Sequence, residues 1–73
     1  MPHITIELYS GRSAEEKLKI AQAVQNALCS QTGHRNGAVS VSIVDVPKEE
    51  WKEKVFDRIS DDENIVLKPD YKM

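Results

Sequence analysis

The sequence predicts an α+β protein: a βαβ protomer with two parallel strands, one long helix, a short helix and a C-terminal strand, assembled into an oligomer. Three observations carry this. Ile4, Ile6 and Leu8 alternate with Thr5, Glu7 and Tyr9, the period of a half-buried strand. Ala14, Leu18, Ala21, Val24 and Leu28 recur at helical spacing, with Ile20 and Ala27 widening the stripe and Lys17, Lys19, Gln22, Gln25 and Asn26 on the other side. Alternation returns when Val39, Val41 and Ile43 interleave with Ser40, Ser42 and Val44. Strand, long helix, strand is the order of a right-handed parallel crossover.

Each element has local support. Pro2 contributes no N–H to a ladder, so its place at the head of the first strand is unusual for a purely structural residue. If Met1 is removed, Pro2 carries a free secondary amine on a rigid ring. Ser10-Gly11 turns the chain, and Arg12 follows at the mouth of the helix, so an amine, a strand and an arginine are expected as one package. Ser13-Ala14-Glu15-Glu16 reads as a capping box, with Ser13 at N-cap and Glu16 at N3. Gly33 suits the residue just past a helix of about five turns, and His34 to Gly37 is a loop. Pro47 fits the start of a short helix with Glu49 and Glu50 in its first turn, where the dipole favours acids. Trp51, Val55 and Ile59 share one side of it. Ser60 to Asn64 is a polar loop, and Ile65-Val66-Leu67 is expected to form a short strand that Pro69 closes.

Seventy-three residues make one domain, 1–73, near the lower limit for an independent core. One helix covers one sheet face, so the other calls for a partner, and a homo-oligomer is expected. A net charge of −2 argues against a nucleic-acid surface. No apolar stretch is long enough to span a membrane and no leader pattern suggests export, so a cytoplasmic protein is expected. The single Cys29 suits a reducing compartment. His3 and His34 have no neighbours that complete a zinc set, so metal chemistry is not expected.

Pro2, the Ile4/Ile6/Leu8 strand, the Gly11-Arg12-Ser13 turn, the helix from Glu15 to about Ser30, the strand from Val39 to Val46 and the aromatic Trp51 together resemble the tautomerase superfamily, in its small 4-oxalocrotonate tautomerase type. The tail Leu67-Lys68-Pro69-Asp70-Tyr71 is similar to longer members of a phenylpyruvate tautomerase-like subgroup. That resemblance implies a cofactor-free isomerase acting on small 2-oxo acids or their enols, with Pro2 as the base. It also implies Arg12 as the substrate-positioning residue, Trp51 as the pocket wall, and a homo-oligomer, with the tail favouring a dimer and a hexamer as the alternative.

The chemistry is self-consistent. An α-amino group titrates at about 7.7–8.0 before perturbation, and burial or a nearby Arg12 charge would disfavour its ammonium form. A neutral amine near pH 7 can take a proton and return it elsewhere. Arg12 offers a two-pronged clamp for a carboxylate or an enolate. Where di-acid-specific relatives carry a second arginine, this sequence has Ser40, which cannot clamp a carboxylate. A mono-acid such as enol-phenylpyruvate is therefore favoured, unless Arg35 supplies the missing charge. Two other readings keep the fold. One is a dehalogenase- or hydratase-like member, which would want an acid such as Glu53 or Asp57 in the pocket. The other is a binding module without chemistry.

Overall fold

Two parallel strands, β1 (His3–Tyr9) and β2 (Ser40–Val46), pair in register from His3 opposite Ser40 to Tyr9 opposite Val46. A computed structural model describes residues 1–73. Between the strands runs α1 (Ala14–Thr32). Its predicted ends are where the chemistry put them: the Ser13 hydroxyl accepts the Glu16 N–H at 3.1 Å, and Gly33, at φ 79°, donates its N–H to Cys29 O. Gly33 can take that left-handed conformation without the steric cost a Cβ brings. A short 3₁₀ turn, Asn36–Ala38, leads into β2. After Pro47 the chain stays helical through a 3₁₀ turn (Lys48–Glu50), a π-helical turn (Lys52–Phe56) and α2 (Asp57–Ser60).

The register decides what each face does. Ile4, Ile6 and Leu8 lie opposite Val41, Ile43 and Asp45 and point to the α1 side, where Lys17 of α1 meets Asp45 at 3.0 Å. The other face carries His3, Thr5, Glu7 and Tyr9 beside Ser40, Ser42, Val44 and Val46. Only its C-terminal half is covered, by the segment from Trp51 to α2: Tyr9 meets the Trp51 ring edge-on at 4.9 Å, and Glu7 pairs with Arg58. Three residues are buried, Val39, Val46 and Val55. Val39 sits on the α1 side at one end of the sheet, whereas Val46 faces the short helical segment at the other.

This is a thin core for 73 residues. The protomer exposes 5752 Å², whereas a compact monomer of its mass exposes about 4,600 Å². Its radius of gyration is 13.8 Å against about 11 Å for a compact chain of this length. Leu18 on α1 remains 58% exposed.

The expected C-terminal strand is absent. The Asp62 side chain accepts the Asn64 N–H at 2.8 Å and the Asp62 carbonyl accepts the Ile65 N–H at 3.3 Å, so the chain turns there. Val66 and Leu67 then run exposed, with no neighbouring strand to pair with. Three consecutive apolar residues suggested a strand, but the segment pairs with neither edge of the two-stranded sheet. No helix is long and apolar enough to cross a membrane.

Candidate active site

The sequence-predicted site residues divide between the two ends of the sheet. At the N-terminal ends of the strands, half-buried Pro2 continues the pairing of β1, its carbonyl accepting the Ser40 N–H at 3.1 Å. Met1 is 95% exposed and is held by one polar contact, its amine donating to Ala38 O at 2.7 Å. Its removal would cost almost no packing and would free the Pro2 nitrogen as the chain's amine. Arg35 stands at the same end, in the loop before β2, with its guanidinium folded over Gly37 so closely that a side chain there would collide with it.

Ser40 is engaged on the open sheet face. Its hydroxyl meets His3 Nδ1 at 2.6 Å, His3 Nε2 reaches Ser42 Oγ at 3.3 Å, and the Ser42 hydroxyl donates to Thr5 at 3.4 Å. This polar ladder was not read from the sequence, where His3 was weighed as a metal ligand and set aside. The signal was available: His3, Thr5, Ser40 and Ser42 all fall on one face once the two strands pair in parallel.

Arg12 and Trp51 meet at the opposite end, beyond the C-terminal ends of the strands. Ser10 N–H donates to Val46 O at 3.1 Å, and Gly11 (φ 123°) turns the chain out of β1 in a conformation that favours glycine. Arg12 then projects beside a cavity of about 340 Å³ lined by Leu8, Tyr9, Arg12, Trp51 and Tyr71. Its one ion pair, with Glu16 at 3.5 Å, joins two half-exposed side chains, a contact of little energetic weight that leaves the guanidinium available. Tyr9 and Tyr71 went unassigned at the sequence level. Tyr9 looked like an outer strand residue, and Tyr71 is brought in only by the fold of the tail.

The expectation that amine and arginine come packaged together is therefore corrected. A seven-residue strand separates them within one protomer, and it spans about 20 Å at about 3.3 Å per residue. For the same reason Arg12 exerts no close electrostatic influence on its own chain's Pro2. Neither Glu53 nor Asp57 lines the cavity; Asp57 pairs with Lys52 at 3.1 Å. No group of three or more His, Cys, Asp or Glu side chains is gathered to hold a metal ion.

Comparison with known proteins gives this arrangement its context. The family model described as Tautomerase enzyme matches residues 2–55, which include Pro2, Arg12, Ser40 and Trp51. The chain belongs to the tautomerase family. A probable tautomerase of Xylella fastidiosa is 32% identical over 97% of this chain and 89% of its own length. A 2-hydroxymuconate tautomerase of Comamonas testosteroni is 41% identical over 70% of this chain and 81% of its own. Among solved structures, a 4-oxalocrotonate tautomerase isozyme of Methylibium petroleiphilum superposes with a TM-score of 0.66 at 38% identity, covering 68% of this chain and 81% of that one. This tautomerase is accordingly an isomerase with the small α+β fold of the 4-oxalocrotonate tautomerase family.

Proposed function

We propose that this tautomerase interconverts the keto and enol forms of mono-acid 2-oxo acids of the enol-phenylpyruvate kind. Pro2 of one protomer, as the mature N-terminus, works in the cavity carrying Arg12 and Trp51 of another. The observation that carries the reading is the Arg12 cavity, which offers one guanidinium among aromatic and aliphatic walls. One cation suits one carboxylate, and apolar walls suit a planar or aromatic body.

For the enol-to-keto direction, Arg12 holds the substrate carboxylate, the Pro2 amine takes the enol hydroxyl proton, and the resulting ammonium returns a proton to C3. The substrate is isomerised and the amine is regenerated, so no cofactor is consumed. Trp51 and Leu8 give the cavity apolar walls, and closing it with a second protomer would exclude water and strengthen the Arg12 contact as charge develops on the enolate oxygen. Two facts support assembly of the site from two chains. Amine and guanidinium lie a strand's length apart in each protomer, too far for one small substrate to touch both. The protomer's surplus of about 1,200 Å² over a compact monomer also exceeds the roughly 800 Å² that each partner buries in a standard interface. A homodimer is the smallest assembly that meets both. Ser40, engaged by His3, supplies no second cation, in keeping with a mono-acid.

The test is complementation. Pro2→Ala and Arg12→Ala proteins, each nearly inactive, are unfolded together and co-refolded. If the site is shared between chains, random mixing restores about one quarter of wild-type activity, because one site in four then receives an intact Pro2 and an intact Arg12. A mixture no more active than the separate variants would refute the shared site.

A further inference from the structure

The family-wide match ends at residue 55, yet one residue of the tail beyond it reaches the Arg12 cavity. No backbone hydrogen bond anchors the chain after Ile65. The tail is held instead through Tyr71. Its ring lies 5.3 Å from that of Phe56, and its hydroxyl accepts the Trp51 Nε1–H at 2.9 Å. The phenol therefore lines the cavity with Leu8, Tyr9, Arg12 and Trp51. A hydroxyl that accepts through oxygen still has its own hydrogen to give, and in the protomer the Tyr71 O–H donates to no side chain or backbone group.

We propose that Tyr71 is a substrate-contact residue that donates its hydroxyl hydrogen to the carboxylate held by Arg12, so that the tail supplies part of the enzyme's selectivity for acids. The Trp51 N–H fixes the phenol oxygen, and the Phe56 contact fixes the ring. The remaining rotor freedom of the O–H is what a carboxylate oxygen takes up. A neutral donor beside a guanidinium adds a second hydrogen bond to the anion without a second charge. This matches a site that binds one carboxylate and not two. The inference rests on Arg12 as the carboxylate site.

Trp51 is the only tryptophan, so its fluorescence reports ligand entry independently of turnover. The full-length protein is titrated with phenylacetate, a mono-acid with no enol to convert, and with phenylacetamide, its neutral counterpart. Tyr71→Phe keeps the ring and removes the hydroxyl. It should weaken phenylacetate by about tenfold, the scale of a hydrogen bond to a charged group, and leave phenylacetamide nearly unchanged. The KM for enol-phenylpyruvate should rise in parallel while kcat is largely retained. Equal weakening of both ligands would mean that Tyr71 only holds the tail in place, and would overturn the proposal. Unchanged binding of both would also overturn it, and would leave the Arg12 reading standing provided Arg12→Ala loses phenylacetate. Phenylacetate bound equally well by Arg12→Ala would overturn the two together.

Discussion

At the N-terminal ends of the strands, order comes from backbone pairing and a polar ladder; at the C-terminal ends, it comes from aromatic contact. Pro2 is placed by Ser40 N–H and stands beside the His3–Ser40–Ser42 chain of hydrogen bonds. Arg12 emerges from a glycine turn beside Tyr9, Trp51 and Tyr71, whose rings form the cavity. The first end holds Pro2 at a fixed position through the Ser40 N–H but lies a strand's length from the Arg12 cavity. The second has the cavity and the cation but no base. In the proposed assembly one protomer's chemistry meets another's pocket, and substitutions at the two ends should act on different kinetic quantities.

The largest effect should come from blocking the amine. Acylating Pro2, or retaining Met1, should lower kcat by about 10²–10⁴-fold, the contribution typical of a positioned acid–base group. Phenylacetate binding in the Arg12 cavity should persist. Intact-mass measurement paired with turnover checks this, and full activity with Met1 retained would remove Pro2 from the mechanism. Next comes Arg12→Ala, which should cost about 30- to 1,000-fold in kcat/KM for loss of a partly desolvated charged contact worth about 2–4 kcal/mol. Arg12→Lys should recover only part, because a point charge does not reproduce the planar fork. An Arg12→Ala enzyme with wild-type kcat/KM would erase the distinction between the two ends.

A smaller change should follow from adding charge at the amine end. Ser40→Arg should shift the kcat/KM ratio of 2-hydroxymuconate to enol-phenylpyruvate toward the dicarboxylate by about tenfold, the scale of one added polar contact. If wild-type enzyme already prefers the dicarboxylate, Arg35, which stands in the loop at that end, should prove responsible, and Arg35→Ala should reverse the preference. The smallest effect concerns stability alone. Ser13→Ala removes the cap on the Glu16 N–H and should cost about 1 kcal/mol. It should appear as a lower urea midpoint, with phenylacetate affinity little changed although the cap adjoins Arg12.

The sequence was most legible where physics acts over a few residues. The period of α1, its Ser13 cap and its Gly33 stop place the helix nearly to the residue, and the alternation of both strands predicts their pairing. The Trp51-Val55-Ile59 face also holds, with Val55 buried and the other two half-buried. What stayed hidden were contacts made across long stretches of chain. Tyr71 finds Trp51 twenty residues away, and no local pattern signals that. The separation of Pro2 from Arg12 was obscured for the opposite reason. Ten positions is close in sequence, but extended chain converts those positions into distance faster than any other conformation. The Ile65–Leu67 strand was expected because apolar runs suit strands, a preference that depends on context and is not met unless the segment pairs with a neighbour.

The thinness of the protomer has a consequence for how the enzyme behaves at low abundance. With only three buried residues, and with the site divided between copies as proposed, folding and catalysis would be tied to the same association step. Mass action then makes both depend on protomer concentration. Specific activity should be constant in concentrated solution and collapse below a threshold on dilution, with a lag on reconcentration as chains find one another. In a cell, halving expression near that threshold would remove more than half of the flux.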